Sequence, residues 1–387
     1  MDVVGISILF PVSAYIVQEY SDKAIMVTLL GAVYAVAQFL ATPVMGKFSD
    51  RVGRRPVLLF SLLGSVIGYL IFGLGGTLWV LFLSRLIDGI TGGNQSTASA
   101  YIADVSSDAD LAKNLGLVGL AWGVGLVLGP ALGGFFGQFN LRTPAFIAAG
   151  LTFANLIMTF FVLPESLPRE RRTAARMQGS DYFAVSAIRE MGRLPGLAIL
   201  LLVTALYNLG FNSMISTETL FVIRKFAAQP WQVGLMTMLS GILIAVVQFL
   251  LVAPLVKKLG ERLLIVLCLV LQTASVVLNG FAPALIWVFV IVAFRTATGV
   301  SILPSLGALT ARGVSAADRG TLMGVTTALN SLASVIGPIL AGLAFDQISP
   351  AAPYWMAAVL YAVGMLLMAT AGRKGTASLA STVDSLT

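Results

Sequence analysis

Acidic side chains within apolar stretches are the residues of this sequence best suited to chemistry. The three best placed are Asp2, Asp88 and Glu218. The chain has no histidine, so carboxylates are the side chains left to exchange a proton near neutral pH in an apolar environment. Arg85 precedes Asp88 by about one helical turn, and it either cancels the charge of Asp88 or adjusts the protonation of an acid in a cavity. We predict that these four residues couple protons to another process.

Two of these acids also have simpler interpretations. Asp2 lies so close to the start of the chain that it could cap the first helix at the interface. Glu218 stands between Thr217 and Thr219 near one end of its apolar stretch. It is therefore either an interfacial residue or a proton or cation site on the outer side.

A row of polar and small residues continues from Arg85 along the same stretch. At 100° per residue of an α-helix, Arg85, Asp88 and the row keep within a sector of about 120°. Charged groups at bilayer depth cost about 2.5–3.5 kcal/mol, so this face must point to the protein interior. The row consists of Gly89, Gly92, Gln95, Ser96 and Ser99. The residues predicted to line a substrate cavity are Gln95, Ser96, Ser99, Gln38, Asn208 and Asn212. For Gln38, a hydrogen bond between two helices is an equal alternative.

The elements that must position these residues are membrane-spanning helices. Of 387 residues, 58% are hydrophobic and 11% are charged, whereas soluble domains carry about 25% charged residues. Together with a mean hydropathy of +0.93, this indicates a polytopic membrane protein. Twelve apolar stretches, here called spans 1–12, are predicted at 1–19, 24–46, 56–76, 79–104, 112–138, 143–163, 195–222, 231–256, 261–281, 284–311, 320–344 and 352–371. All but the first reach the roughly 20 residues that a bilayer requires. We infer that a turn or two of the first helix is missing upstream.

The Lys and Arg residues divide unevenly between the loops. If the N-terminus is cytoplasmic, 18 of the 24 lie in cytoplasmic segments, 4 in outside loops and 2 within spans. This bias follows the positive-inside rule. It predicts a multi-pass protein of the cell membrane, inner or plasma membrane, with both termini cytoplasmic. The net charge of +7 is thereby explained without nucleic acid.

Similarity between the two halves of the chain indicates an internal duplication. Gly129-Pro130 in GLVLGPALGG recurs as Gly337-Pro338 in SVIGPILAG, 208 residues later. The predicted fold is an all-α integral membrane protein, with twelve transmembrane helices in two pseudo-symmetric six-helix bundles around a central cavity. The bundles are expected at 1–163 and 194–371. A cytoplasmic linker with an interfacial helix is expected at 164–193, and a disordered cytoplasmic tail at 372–387.

Several motifs resemble those of a known family. The loop GKFSDRVGRRP at 46–56 is similar to the signature loop of the major facilitator superfamily, and RLIDGITGG (85–93) and GLVLGPALGG (125–134) resemble two further signatures. DVVGISILFP (2–11) is similar to the first span of its proton-coupled drug-efflux antiporters, which include tetracycline and multidrug exporters. The resemblance covers the whole chain. It implies that Asp2 and Arg85 take part in proton coupling and that Gln38 faces substrate.

The resemblance also implies a cytoplasmic latch, in which Asp50 lies near the start of helix 11 and an arginine pairs with Asp104 at the end of helix 4. The alternative is a solvated loop that only fixes topology, with weak surface ion pairs. The predicted latch residues are Gly46, Asp50, Arg51, Gly53, Arg54, Arg55, Asp104, Asp318 and Arg319.

Glycines and prolines in spans 5 and 11 form a predicted hinge. Gly125, Gly129 and Gly133 fall on one helix face, and each Gly-Pro pair removes a backbone hydrogen bond. These residues either flex during alternating access or only allow close helix packing. The predicted hinge residues are Gly125, Gly129, Pro130, Gly133, Gly337 and Pro338.

Two positions depart from the tetracycline exporters, which carry an acid in span 3 and polar or charged residues in span 9. This chain has Gly68 in span 3, and its span 9 offers only Gln272 and Asn279. A metal–tetracycline complex would find few ligands here. We therefore expect tetracycline to be a poor substrate.

The predicted function is a secondary active transporter that exports a small apolar or amphipathic, drug-like compound in exchange for protons by alternating access. A proton-coupled exporter or flippase of a lipid, glycolipid or sugar is one alternative, and a membrane receptor or scaffold on the same fold is another. No HExxH, GxSxG or paired-carboxylate motif occurs, so an enzyme, a metal site and a cofactor are not expected. The expected partners are the lipid bilayer, a small-molecule substrate and protons, without nucleic acid. The protein is expected to be a monomer.

Overall fold

The apolar stretches form helices throughout the part of the chain that the structure describes. The structure is a computed structural model, and it describes residues 1–107, 109–172, 191, 195–315 and 318–371. Within these residues there are helices and turns but no strand. In chain order the helices of spans 1–12 are Asp2–Ser7 with Phe10–Gln18, Ala24–Val52, Arg54–Leu74, Leu78–Thr91 with Asn94–Val105, Leu111–Gly137, Thr143–Val162, Pro195–Phe226, Pro230–Leu250 with Val252–Leu259, Glu261–Gly280, Leu285–Gly299 with Ile302–Arg312, Arg319–Gln347 and Ala352–Ala371.

Most of these helices are long enough to cross a bilayer. Among the described residues, ten helical segments have the length and apolar composition of a membrane span. The other two predicted spans are span 1, where Val3–Gln18 is apolar but shorter, and span 4, which is divided into two helices. Helices satisfy their backbone hydrogen bonds internally, as lipid requires. The predicted all-α membrane fold is confirmed, and the helices fall at the twelve predicted spans.

Spans 4 and 10 are both interrupted near their middle. The breaks fall at Gly92–Gly93 and at Val300–Ser301, which are 208 residues apart. Two adjacent glycines weaken a helix, because each is about 1 kcal/mol less favourable there than alanine. The apolar span at 79–104 is thus present, but it consists of two helices rather than one.

This interruption corrects the polar sector drawn along span 4. A constant step of 100° per residue applies only within one helix. Asp88 therefore shares the first helix of span 4 with Arg85, whereas Gln95, Ser96 and Ser99 belong to the second. Their common face was derived from a straight helix that does not exist.

A serine–aspartate turn recurs in front of spans 5 and 11. Ser107 Oγ donates to Asp110 Oδ2 at 2.9 Å, and Ser315 Oγ donates to Asp318 Oδ2 at 2.7 Å. In both turns the aspartate N–H also donates to the serine hydroxyl, at 3.3 Å. Such side chain-to-backbone bonds stabilise a turn ahead of a helix. The two turns stand at the 208-residue offset of the repeat.

Two loops share a backbone conformation at nearly the same offset. Gly53 between spans 2 and 3 has a φ of 115°, and Gly260 between spans 8 and 9 has a φ of 74°. Only glycine adopts such positive φ values at little cost. The duplication inferred from sequence is thus visible in local conformation as well.

The described residues form two compact units. One comprises those within Met1–Tyr182 and Val222–Ile242, and the other those within Phe183–Phe221 and Leu243–Thr387. The end of span 7 and the first part of span 8 thus belong to the first unit. The predicted bundle boundaries stay a prediction. The predicted interfacial helix and the tail at 372–387 fall on residues outside the described ranges, apart from Met191.

The core of the first unit lies where spans 1, 3, 4 and 6 meet. Ile8, Val12, Tyr69, Phe72 and Ala148 are fully buried there. Between helices in lipid, close packing replaces the hydrophobic effect as the main source of association. In this core, Tyr69 and Phe72 of span 3 lie beside Arg85 of span 4.

Candidate transport and coupling sites

The first candidate site is a buried ion pair in span 4. Arg85 Nη1 lies 3.2 Å from Asp88 Oδ2, and Asp88 is only 2% exposed. The arginine guanidinium also lies over the rings of Phe72 and Tyr69, with its carbon 4.7 and 5.6 Å from the ring centroids. A cation over an aromatic face is stabilised electrostatically. The Asp88 carboxylate and the two aromatic rings therefore both stabilise the charge of Arg85.

Arg85 keeps hydrogen-bonding capacity in this pair. Its Nε and Nη2 atoms are buried and have no hydrogen-bond partner among the described residues. The structure contains the ion pair between Arg85 and Asp88 that one of the two interpretations predicts. The unused donors also allow Arg85 to face a second anionic or polar group, as the proton-coupling interpretation requires.

Gly68 in span 3 explains how Asp88 becomes so deeply buried. A Cβ atom at Gly68 would lie 3.1 Å from Asp88 Cβ and 3.2 Å from Ser84 O. The absence of a side chain lets spans 3 and 4 approach closely. An acid at position 68 would stand directly against Asp88, so this departure from the tetracycline exporters alters the surroundings of that carboxylate.

Gln38 is held by the break in span 4. Its Nε2 donates to Gly92 O and to Tyr34 Oη, both at 3.1 Å. The interruption frees the Gly92 carbonyl from its own helix, and a buried carbonyl needs a partner. Gln38 thus forms the helix-to-helix hydrogen bond, and its substrate-facing role stays a prediction.

The polar residues beyond the break differ in exposure. Gln95 is exposed, whereas Ser96 and Ser99 are half-buried. Ser96 Oγ donates to Gly93 O at 2.9 Å and so helps to close the second helix of span 4. Their role as cavity residues stays a prediction.

The second candidate site is a buried ion pair in the other unit. Arg295 Nη2 of span 10 lies 2.7 Å from Glu218 Oε1 of span 7. The two residues are 6% and 8% exposed. Arg295 stands at the repeat position of Arg85, but its carboxylate partner comes from another span. The structure thus places Glu218 in an ion pair rather than alone at an interface.

Uncharged polar groups surround this second pair. The Tyr361 hydroxyl and Arg295 Nε are buried and have no hydrogen-bond partner in the described part of the chain. Tyr361 stacks on Tyr207 with ring centroids 5.4 Å apart. Unsatisfied buried polar groups usually indicate water or a ligand. The cluster is therefore a second place where a polar guest could bind.

Other predicted cavity residues in this unit are engaged within the protein. Asn208 Nδ2 donates to Thr204 O at 3.0 Å, and Asn212 Nδ2 donates to Asn208 O at 2.8 Å. Gln272 Nε2 donates to Arg295 O at 2.6 Å. These amides satisfy helix carbonyls with their N–H groups.

The structure describes only the backbone of Asp2. The first helix begins at this residue, and Met1 occupies the N-cap position. The role of its carboxylate stays a prediction.

The predicted latch contains a three-residue charge network. Arg54 Nη1 lies 2.5 Å from Asp50 Oδ1, and Arg54 Nε lies 3.1 Å from Asp104 Oδ2. Arg54 is 9% exposed and also donates to Ser49 Oγ at 2.6 Å. One buried guanidinium thus joins spans 2, 3 and 4. The sequence predicted an arginine partner for Asp104, and Arg54 is that partner. The gating role stays a prediction, and so does any role of Asp318 and Arg319, which belong to the other unit.

Glu165 contacts the predicted latch residues Arg54 and Arg55, a contact that sequence reasoning missed. Its carboxylate accepts from the N–H groups of Arg54 at 2.8 Å and of Arg55 at 3.3 Å. It therefore caps the first turn of span 3 from a distant part of the chain. A Cβ at Gly53 would overlap this carboxylate. The sequence feature that could have indicated this contact is an acidic residue directly after Pro164, at the start of the basic loop that follows span 6.

The predicted hinge glycines of span 5 pack on span 1. A Cβ at Gly125 would overlap Val3, and one at Gly129 would overlap Ser7. Ser7 Oγ donates to Gly125 O at 2.8 Å. Gly133 continues the contact against Ile8 O. The row is a tight helix crossing, and the helix Leu111–Gly137 continues through Pro130.

The same crossing recurs between spans 7 and 11. Ser213 Oγ donates to Gly337 O at 3.1 Å, and a Cβ at Gly337 would lie 3.0 Å from Ser213 N. Pro338 lies within the continuous helix Arg319–Gln347. The hinge role of both Gly-Pro elements stays a prediction.

A second glycine face of span 5 contacts the start of span 8 within the first unit. A Cβ at Gly134 would lie 2.8 Å from Gly234 Cα. A Cβ at Gly234 would lie 2.5 Å from Pro130 O. The two backbones are therefore in direct contact, which only glycine at both positions permits.

Comparisons with known proteins agree with this architecture. The sequence model of the Major Facilitator Superfamily matches residues 1–223 and 200–381. The class C tetracycline resistance protein of Escherichia coli is 35% identical over 343 residues, 88% of this chain and 86% of that protein. Multidrug resistance protein 2 of Bacillus subtilis (strain 168) is 29% identical over 352 residues, 88% of this chain and 85% of that protein.

Solved structures show the same fold. The human organic anion transporter MFSD10 (TETRAN) aligns with a TM-score of 0.69 and 24% identity, over 95% of this chain and 96% of its own. A bacterial homolog of the human lysosomal transporter Spinster, inward-facing and occupied, aligns with a TM-score of 0.75 and 16% identity, over 96% of this chain and 94% of its own. The chain is a multi-pass membrane transporter that belongs to the Major Facilitator Superfamily.

Proposed function

We propose that this chain is a secondary active exporter that exchanges protons for a small apolar or amphipathic, drug-like compound. The observation that carries the proposal is Asp88, a carboxylate 2% exposed within an apolar span and paired with Arg85. Carboxylates at membrane depth are costly and mark ion or proton pathways. The similarity to tetracycline and multidrug resistance proteins supports export as the direction.

The energetics require only one proton per cycle. A proton that moves down a potential of about 150 mV releases about 3.4 kcal/mol. This energy sustains a substrate gradient of roughly 300-fold. A single carboxylate that loses its proton when substrate binds is therefore sufficient.

The two acids of the first unit take different parts in this exchange. Asp88 is already paired with Arg85, whose Nη1 lies 3.2 Å from its carboxylate, so we propose Asp2 as the main exchange site. Asp2 is protonated when the empty transporter faces the acidic side, and it is ionised when a cationic or polar substrate replaces the proton.

The proposed substrate class excludes metal–tetracycline complexes. Position 68 offers no acid, and Gln272 already donates to the backbone of span 10 at 2.6 Å. Ligands for a metal complex are thus few at the two positions where the tetracycline exporters have them. We also propose that the protein is a monomer. Both termini lie in the cytoplasm in this proposal, as the distribution of Lys and Arg predicts.

Substrate-induced proton release in detergent tests the proposal. The purified protein in weak buffer should release protons when a transported drug is added. Asp88→Asn should reduce the release, whereas Asp110→Asn, which removes an exposed acid of the loop before span 5, should not. No release from the wild-type protein with drugs that it binds would contradict proton exchange.

A further inference from the structure

An apolar groove lies between spans 3 and 6 on the surface of the first unit. It encloses about 350 Å³, and small-molecule clefts range from roughly 300 to 1,000 Å³. Every lining residue is aliphatic or aromatic, including Phe60, Leu63, Ile157 and Phe160. A drug site normally adds a few polar groups to such a lining. An acyl chain is the occupant that matches a lining without any.

The groove faces lipid rather than the protein interior. Phe60 and Phe160 are 54% and 53% exposed, and Leu63 and Ile157 are 45% and 44% exposed. On a membrane span, exposed apolar side chains contact the bilayer hydrocarbon. Phospholipid is therefore already present at this surface at high local concentration.

A cationic side chain lies at the end of the groove nearest the loop between spans 2 and 3. Arg55 Nη2 donates to Phe160 O at 2.5 Å, and the guanidinium carbon lies 5.3 Å from the Phe160 ring centroid. Arg55 is half-buried; its Nε atom is buried without a hydrogen-bond partner among the described residues, and the bond to Phe160 O uses one N–H of Nη2. A guanidinium has five N–H donors and binds phosphate well, so Arg55 has donors left for a headgroup.

We propose that this groove binds one diacyl phospholipid with an anionic headgroup, its acyl chain between spans 3 and 6 and its phosphate on Arg55. The choice of an anionic lipid rests on charge complementarity, because the cytoplasmic leaflet is negatively charged. It also rests on the orientation in the proposed function, which puts this end of the groove in the cytoplasm.

A lipid at Arg55 would act on the latch. Arg55 and Arg54 are neighbours, and both backbone N–H groups donate to the Glu165 carboxylate. Arg54 in turn holds Asp50 and Asp104. A headgroup that fixes Arg55 therefore restrains the first turn of span 3, on which the charge network depends.

Quenching by brominated lipid measures this binding without transport. In a variant whose five native tryptophans are replaced by phenylalanine, Phe161→Trp places a single reporter at the rim of the groove, at a position that is 79% exposed. Val359→Trp, in span 12 and 62% exposed, is the matched reporter elsewhere on the lipid surface. Each protein is reconstituted in phosphatidylcholine nanodiscs with a minor fraction of brominated phosphatidylglycerol. We expect stronger quenching at position 161 than at position 359.

Two variants separate the headgroup from the groove. Arg55→Gln should weaken phosphatidylglycerol binding about fivefold, which corresponds to the roughly 1 kcal/mol that one basic side chain contributes at an anionic surface. Arg169→Gln removes the same charge from an exposed position of the linker and should leave binding unchanged. Ile157→Phe keeps Arg55 but fills the groove and should also reduce quenching.

The proposal is overturned by any of three results. Equal quenching by brominated phosphatidylcholine and phosphatidylglycerol would remove the headgroup selectivity. Equal effects of Arg55→Gln and Arg169→Gln would show that general surface charge, and not Arg55 in particular, attracts the lipid. Unchanged quenching in Ile157→Phe would remove the acyl chain from the groove. Because the readout needs no proton exchange, these failures are distinct from a failure of the exporter function.

Discussion

Neutralising Glu218 is the perturbation whose magnitude follows most directly from the structure. Glu218 and Arg295 lie 2.7 Å apart and are 8% and 6% exposed. Removing one partner of a buried pair leaves an uncompensated buried charge, which costs about 3–5 kcal/mol. Glu218→Gln should therefore destabilise the protein by about this amount.

Removing both charges should cost far less. When a buried ion pair is replaced as a whole by uncharged side chains of similar volume, the change is often neutral or stabilising. Glu218→Gln combined with Arg295→Met should thus recover most of the stability that either single variant loses. The expected coupling between the two positions is about 3 kcal/mol.

Thermal and denaturant unfolding in detergent measures these differences, with an exposed ion pair as the control. Arg142 Nη2 lies 2.9 Å from Glu19 Oε2, with side chains 34% and 39% exposed. The hydrogen bond to Glu19 raises the pKa of Arg142, but exposed pairs contribute only about 0.2–1 kcal/mol. Glu19→Gln should therefore have a small effect. Equal losses in Glu218→Gln and Glu19→Gln, or additive losses in the double variant, would refute the reasoning.

The remaining predictions concern the latch, the glycine crossing and the exchange site. Asp50→Asn removes the 2.5 Å contact with Arg54 and should slow transport while substrate binding stays nearly intact; a wild-type transport rate would leave Asp50 in a topology loop. Gly234→Val forces a Cβ to within 2.5 Å of Pro130 O and should lower unfolding stability by about 1–3 kcal/mol. Gly150→Val, at a position with open space around it, is the control, and equal losses would contradict the crossing. Asp2→Asn should reduce drug-induced proton release more than Asp88→Asn does; undiminished release would move the exchange site to Asp88 or Glu218.

Sequence alone predicted those features that depend on apolar length and on local spacing. The spans follow from runs of about 20 apolar residues. The repeat followed from identities such as Gly129-Pro130 and Gly337-Pro338. The arginine partner of Asp104 came from the resemblance of the 46–56 loop to a family signature, and Arg54 lies 50 residues away from Asp104 along the chain.

Features that depend on tertiary contacts could not be predicted in this way. Glu165 caps span 3 across a separation of 111 residues, and the bond of Arg295 to Glu218 spans 77 residues. Neither spacing has a helical or loop signature. The two adjacent glycines at Gly92–Gly93 were a local signal of the break, because glycine weakens a helix. A projection at 100° per residue assumes an unbroken helix and therefore does not show the break.

The central claim is the exchange of protons for a drug-like compound, and transport in proteoliposomes tests it most directly. The liposomes have an acidic interior and contain a pH-sensitive dye, and a drug that the protein binds is added outside. Proton exchange predicts that drug enters while the interior becomes less acidic, and that neither drug entry nor a drug-dependent change of internal pH occurs once a protonophore has collapsed the gradient beforehand. Drug entry that persists unchanged after the pH gradient has been collapsed, or that leaves the internal pH unaltered, would contradict it.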